Sequence, residues 1–192
     1  VPAGATTAIR GSWVQGPSDS VFDALSRRFP SLPFIAEDLG VITEDVRHAM
    51  RHLGLPGMRV LIFGFDGDPG NPHLPINHPE DSVAYTGTHD TNTTKGWFVE
   101  EAGEEARQNL FDCIGSFVPE GEVSWALMRL ASGSRARLSV FPIQDILSLG
   151  SESRLNRPSI AKDNYLWKLT ESQLSSIPAL RLREMATESD RL

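Results

Sequence analysis

Four apolar runs along the chain each end at an acidic residue. They are residues 33–40 (PFIAEDLG), 59–66 (RVLIFGFD), 82–90 (SVAYTGTHD) and 138–145 (LSVFPIQD). Strands that are covered on both faces of a parallel sheet are apolar throughout, so the first acid marks the point where the strand leaves the core. The pattern therefore predicts four buried parallel strands that deliver carboxylates to one edge of a sheet.

Stretches of helical periodicity separate these apolar runs. The predicted helices cover residues 21–29, 44–53, 93–109, 122–134 and 171–186, and a short helix is predicted at residues 146–149. Alternation of strands and helices is typical of an α/β fold with a parallel sheet. The chain has 192 residues, whereas a complete (β/α)8 barrel typically needs about 250. The length therefore leaves open that the chain is a fragment of a larger fold.

Composition and charge narrow the range of partners. The formal net charge is −7 and Lys and Arg are not clustered, which argues against nucleic acid or an anionic membrane as a partner. The single cysteine, Cys113, excludes a disulfide within the chain. No apolar run approaches the roughly 18 residues of a membrane span, and no signal peptide is recognised. These observations favour a soluble, cytoplasmic protein with neutral substrates.

Two of the strand-end acids, Glu37 and Asp90, are the candidates for chemistry. Carboxylates on neighbouring strand-end loops can face each other across a pocket, which is what cleavage of a glycosidic bond requires. One acid donates a proton to the leaving oxygen, and the other supports positive charge at the anomeric carbon. A purely structural role, as a helix cap or an ion-pair partner, is the alternative for each acid, and spacing alone leaves both readings open.

Five segments of the chain carry a family resemblance. They are WVQGPSDSVFDAL, PFIAEDLGVITEDV, LGLPGMRVLIFGFD, VAYTGTHDTNTTKGW and PIQDILSLGSESRLNRP, in this order over about residues 1–169. Together they resemble the 4-alpha-glucanotransferases (amylomaltases or disproportionating enzymes) of glycoside hydrolase family 77. The resemblance implies that residues 1–192 are a single partial catalytic domain, the C-terminal half of a (β/α)8 TIM barrel with strands five to eight.

The resemblance also implies a role for individual residues. Glu37, in AEDLG, matches the general acid/base of the family, and Asp90, in THD, matches the residue that stabilises the transition state. His89 is expected to contact a substrate hydroxyl, and Asn156 to contact a sugar. Phe63 is expected to pack against a glucose face at an acceptor subsite, with an ordinary place in the core as its alternative. No cofactor or metal is implied.

The chain departs from the family pattern in one respect that matters for catalysis. The nucleophile of the family is an aspartate in an R-x-D-H segment, and this sequence contains no such segment. The resemblance therefore places the nucleophile upstream of Val1, in the N-terminal half of a barrel that works by a retaining, covalent mechanism. The substrates implied are α-1,4-glucans and maltooligosaccharides. We expect the chain alone to be inactive, and its open sheet edges to be covered by the missing half or by a second copy.

Two other functions remain open at this point. Glu37, Asp38, His89 and Asp90 are also a suitable ligand set for Mg²⁺ or Mn²⁺, as in a metal-dependent barrel hydrolase or lyase. A fragment that keeps part of a sugar cleft could also bind α-glucans without catalysis.

Overall fold

In the part of the chain that the structure describes, the sheet is parallel and has three strands. The computed structural model describes residues 1–14, 16–29 and 31–192. The strands are β1 (Gly57–Val60), β2 (Ser82–Tyr85) and β3 (Leu138–Val140), in the order β1-β2-β3. In this register Tyr85 pairs with Val60 on one side and with Val140 on the other, so the three carboxyl ends lie side by side. The predicted α/β fold with parallel strands is confirmed.

The first predicted strand, at residues 33–36, is reduced to one parallel bridge between Ala36 and Gly57. The backbone N–H groups of β1 that a longer neighbour would use are taken by side chains instead. Met58 donates its N–H to Asp38 Oδ1 (2.6 Å), and Val60 donates its N–H to His73 Nδ1 (3.1 Å). Since each N–H group makes one strong hydrogen bond, pairing ends after Ala36.

The helices agree with the predicted pattern but are more interrupted. They are α1 (Ser18–Arg28), α2 (Glu44–Leu53), α3 (Thr94–Gly96), α4 (Glu104–Ile114), α5 (Val123–Ser132), α6 (Ile143–Ile146), α7 (Glu171–Ser175) and α8 (Ala179–Glu188). A π-helical turn, Trp97–Glu101, joins α3 to an extended Gly103 before α4 begins. Pro178 separates α7 from α8, because proline lacks the N–H that a continuous helix needs. The short helix predicted at residues 146–149 begins earlier, directly after Pro142.

The main core lies between the sheet and the helices that follow β2. Val60 and Ala84 from the strands and Leu110 from α4 are fully buried, together with Val123 and Leu127 from α5. The spacing of the two α5 residues turns one face of that helix onto the sheet. None of the described helices is long and apolar enough to cross a membrane, and the cytoplasmic location stays a prediction.

The acid at the end of the fourth apolar run, Asp145, is an internal hydrogen-bonding centre. It is fully buried. Its Oδ2 accepts from the Thr86 hydroxyl (2.6 Å), and its Oδ1 accepts from the N–H (2.9 Å) and hydroxyl (2.8 Å) of Thr94. Burial raises the pKa of Asp145, while these three donors stabilise the carboxylate. The side chain ties α6 to the end of β2 and the start of α3, and it is not delivered to the sheet edge as the pattern predicted.

His78 should make the stability of the protein sensitive to mild acid. The ring is buried, Nε2 donates to the carbonyl of His73 (3.0 Å), and burial lowers the pKa of His78 from 6.5 to about 4. Between pH 6.5 and about 4 the unfolded chain therefore binds a proton that the folded chain does not. The neutral His78 ring therefore contributes fully to the stability of the folded protein above pH 6.5, and this contribution is lost as the pH falls towards about 4.

The free energy of unfolding of the wild type should fall when the pH is lowered from 7 to 4.5. In His78→Gln, which has no imidazole to protonate, we expect this fall to be smaller by about 1 kcal/mol, after allowance for solvent screening. Urea unfolding at the two pH values measures this difference. His48→Gln, at an exposed position on α2, is the control and should follow the wild type. Equal pH dependence of His78→Gln and wild type would contradict the assignment.

Candidate active site

A cavity of about 840 Å³ lies at the carboxyl ends of β1 and β2. Its lining includes Glu37, which follows the Ala36 bridge, Phe63, which follows β1, and His89 and Asp90, which follow β2. The carboxyl ends of parallel strands meet at one edge of a sheet, so residues distant in sequence come together there. Four of the five candidate residues therefore share one cavity, and the fifth, Asn156, is hydrogen-bonded to Asp90.

Glu37 is exposed to this cavity, and its neighbour Asp38 fixes its place. Asp38 turns inward, where its side chain is 5% exposed. Besides the bond from the Met58 N–H, its Oδ2 accepts from Arg59 Nη1 (2.9 Å). This pair of bonds anchors the segment that carries Glu37 to β1. The two adjacent acids therefore differ in role, because one is available to a ligand and the other is an anchor.

Gly57 is required for this anchor. A Cβ atom at Gly57 would lie 2.5 and 2.7 Å from the carboxylate oxygens of Asp38, although the Gly57 backbone is outside the left-handed region. We expect Gly57→Ala to displace Asp38 and to lower the free energy of unfolding by about 1–3 kcal/mol. Urea unfolding measures this change. Gly121→Ala, where a Cβ atom would meet open space, is the matched control, and equal stability of the two variants would show that Asp38 can move freely.

Asp90 sits in a tight polar turn after β2. Thr91 Oγ1 accepts the Thr88 N–H (2.9 Å), and the Asp90 N–H bonds the Thr88 hydroxyl (3.3 Å). The Asn156 amide donates to Asp90 Oδ1 (2.5 Å), and His89 Nε2 lies 3.4 Å from the same oxygen. These side-chain contacts all fall on Oδ1, so Oδ2 of the half-exposed carboxylate is the oxygen that can meet a ligand.

Phe63 is not a core residue, because 44% of its surface is exposed at the cavity. Its ring meets the ring of His73 edge to face, with centroids 5.6 Å apart. His73 Nδ1 accepts the Val60 N–H, so the ring proton is on Nε2 when the ring is neutral. Burial and the nearby Arg59 lower the pKa of His73, which favours that neutral form. The geometry provides an apolar ring and a hydrogen-bond donor at one end of the cavity.

The segment between β1 and β2 is held largely by bonds within itself. Asn71 donates to the carbonyl of Phe63 (2.8 Å) and accepts the His73 N–H (2.8 Å). Asn77 donates to the carbonyls of Pro69 and Asn71, both at 2.8 Å. These bonds fix residues 66–78 in one conformation beside the cavity.

The comparisons with known proteins identify the family. Residues 1–174 match the family described as 4-alpha-glucanotransferase. The chain belongs to the 4-alpha-glucanotransferase family. It is 44% identical over 197 residues to the 4-alpha-glucanotransferase of Thermus thermophilus, with 100% of the chain and 39% of that protein covered. It is 46% identical over 177 residues to the enzyme of that name from Synechocystis sp., with 91% of the chain and 35% of that protein covered.

A solved structure gives the same result as the sequences. The amylomaltase from Streptococcus agalactiae in complex with acarbose superposes with a TM-score of 0.90 and is 29% identical, over 100% of the chain and 38% of that protein. This chain of the 4-alpha-glucanotransferase family therefore spans less than two fifths of the length of these relatives. The resemblance drawn from the five sequence segments is confirmed.

The metal-dependent alternative is not favoured. In residues 1–14, 16–29 and 31–192, no group of three or more His, Cys, Asp or Glu side chains could hold a metal ion. Asp38, one of the four residues of the hypothetical set, turns inward to the Met58 N–H and to Arg59 and does not join Glu37, His89 and Asp90 at the cavity.

Two residues at the cavity of this 4-alpha-glucanotransferase-family chain, Arg154 and Glu101, were missed by sequence reasoning. Glu101 lies in an acidic stretch that is typical of a solvated helix face, and Arg154 lies in a polar loop. They form an ion pair of 2.9 Å, in which the Arg154 side chain is 14% exposed. The only sequence signal was the proximity of Arg154 to Asn156 in the SRLNRP segment.

Proposed function

We propose that this chain carries the general acid/base and the transition-state stabiliser of a 4-alpha-glucanotransferase, which transfers α-1,4-glucan segments between maltodextrins. The observation that carries the proposal is the single cavity lined by Glu37, Phe63, His89 and Asp90, in a chain that belongs to the family. The cavity is also large enough for more than one sugar ring. The likeness to an amylomaltase solved with acarbose supports a sugar as its occupant.

In this proposal Glu37 moves a proton twice. It first protonates the leaving glycosidic oxygen while a nucleophile attacks the anomeric carbon, which breaks the C–O bond and gives a covalent glycosyl-enzyme. The resulting Glu37 carboxylate then removes the proton from a hydroxyl of an acceptor glucan. That oxygen attacks the anomeric carbon and releases the nucleophile, so the configuration is retained. The exposure of Glu37 to the cavity supports this role.

The remaining candidate residues would hold the sugars. The Asp90 carboxylate would stabilise positive charge on the reacting ring and accept hydrogen bonds from its hydroxyls through Oδ2. His89 would bind a further hydroxyl. Phe63 would offer its exposed ring to an acceptor glucose, and the carbonyl oxygen of the Asn156 side chain would accept from a sugar, since its amide nitrogen is used by Asp90.

We place the nucleophile outside these 192 residues, in a segment that completes the barrel. The chain would then supply strands five to eight, and its isolated form would be inactive. Support comes from the absence of an R-x-D-H segment and from the fraction of each relative that the chain covers. The edge strand β3 exposes about half of Leu138 and Val140, which a further segment or a second copy would cover.

The test is disproportionation of maltotriose, followed by chromatography of the products. It is run on this chain and on the longer protein that is expressed when the upstream coding sequence is included, called the joined protein below. We expect glucose and longer maltodextrins from the joined protein alone. Activity of the 192 residues by themselves would show that the nucleophile lies within them, and inactivity of both proteins would overturn the proposed function.

A further inference from the structure

One guanidinium group at the cavity spans two segments that lie far apart in the sequence. Arg154 Nη2 donates to the main-chain carbonyl of Asp90 (3.2 Å), and Arg154 Nε donates to the main-chain carbonyl of Asn156 (2.8 Å). The Asn156 amide in turn donates to Asp90 Oδ1 (2.5 Å). Arg154, Asn156 and Asp90 therefore close a ring of hydrogen bonds that includes one carboxylate oxygen of Asp90.

The third nitrogen of the guanidinium is fixed from the other side. Arg154 Nη1 donates to Glu101 Oε1 (2.9 Å), and the same oxygen accepts from the amide of Asn92 (3.0 Å). Asn92 is buried and also donates to Ser151 Oγ (2.9 Å). All three nitrogens of Arg154 thus have acceptors that lie in different directions, and the π-helical turn supplies the anchor through Glu101.

The charges explain why this group positions the site rather than acting on the sugar. A bare cation beside Asp90 would oppose the positive charge that develops on a sugar ring during glycoside cleavage. Here the Glu101 carboxylate compensates the cation. The remaining effect of Arg154 on the site is to fix the positions of its hydrogen-bond acceptors. A planar guanidinium holds several acceptors at fixed angles, which an ammonium group cannot do.

We propose that Arg154 is a positioning residue that holds Asn156 against Asp90 and thereby keeps Asp90 Oδ2 turned toward the reacting sugar. The inference rests on the proposed function of the cavity, since it assigns Arg154 a part in the same reaction. A displacement of about 1 Å in such a site can lower the rate on the order of 100-fold.

The experiment uses the longer protein that is expressed when the coding sequence upstream of Val1 is included. It compares kcat and KM for maltotriose between variants. For Arg154→Lys we expect kcat to fall about 10- to 100-fold with KM within about threefold of the wild type, because transition-state contacts are lost more than ground-state contacts. Glu101→Gln keeps an acceptor but loses the charge, and it should lower kcat in the same direction by a smaller factor. Arg135→Lys is the matched control, since Arg135 forms an ion pair of 2.9 Å with Glu80 outside the cavity.

A second readout separates positioning from stability. Arg154→Ala leaves room for a free guanidinium ion, so millimolar guanidinium chloride should restore part of kcat to that variant and none to Arg135→Ala. Thermal unfolding is recorded for every variant, and kcat is expressed per folded protein. If Arg154→Lys keeps the kcat of the wild type, the inference about Arg154 is wrong while the proposed function stands. The same holds if the loss of kcat only matches the loss of folded protein. An inactive wild type would overturn the proposed function and the inference with it.

Discussion

Replacing Glu37 with glutamine is expected to lower the rate of maltotriose disproportionation by about 10²- to 10⁴-fold. Glutamine has the same shape but cannot donate a proton to the leaving oxygen or accept one from the acceptor hydroxyl. Because Glu37 is exposed at the cavity, the substitution leaves the packing of the sheet intact. The initial rate of glucose release, measured on the protein joined to its upstream sequence, gives the effect.

The choice of donor substrate distinguishes the loss of acid catalysis from a general loss of activity. A maltosyl fluoride carries a leaving group that needs no proton, so the first step should be much less impaired in Glu37→Gln than with maltotriose. Glu184→Gln, at an exposed position on α8, should behave as the wild type with both donors. An equal loss with both donors would assign Glu37 to another role.

Replacing Asp90 with asparagine is expected to lower kcat/KM for maltotriose by about 10²- to 10³-fold, the usual effect of losing a charge that stabilises the transition state. The amide can still hydrogen-bond sugar hydroxyls, so the affinity for maltotriose should change far less than the rate. Isothermal titration with maltotriose and steady-state kinetics measure the two quantities separately.

Asp81→Asn is the control for this substitution. Asp81 precedes β2, whereas Asp90 follows it, and the Asp81 carboxylate lies 3.9 Å from Arg137 at the opposite end of the strand. It should leave the rate unchanged. A loss of affinity as large as the loss of rate in Asp90→Asn would place Asp90 in ground-state binding instead of transition-state stabilisation.

The sequence was informative where a single chemical rule decides the structure. The apolar run at residues 82–90 located β2, since the strand, Ser82–Tyr85, begins at the first residue of that run. The convergence of parallel strand ends also predicted that Glu37 and Asp90 would share a cavity, and both line it. Such rules depend on local pattern and on topology, which the linear sequence carries.

Other features depended on which partner a polar group finds in space. The N–H groups of Met58 and Val60 bond to the side chains of Asp38 and His73 rather than to a strand, and no periodicity signals that choice. Asp145 has the same sequence context as the other strand-end acids, yet its carboxylate is buried, because it accepts hydrogen bonds from the hydroxyls of Thr86 and Thr94. The contact of Arg154 with Asp90 joins residues 64 positions apart and leaves no local trace.

The largely internal bonding of residues 66–78 has a consequence for where the rim of the cavity tolerates substitution. Asn71 and Asn77 brace the segment mainly from within, and His73 bonds it to β1 through the Val60 N–H, so substitutions at positions other than these three place little demand on the flanking strands. The same segment carries His73 to the rim of the cavity beside Phe63. Substitutions at its remaining positions can therefore change the rim of the cavity while Glu37 and Asp90, which lie outside the segment, stay in place.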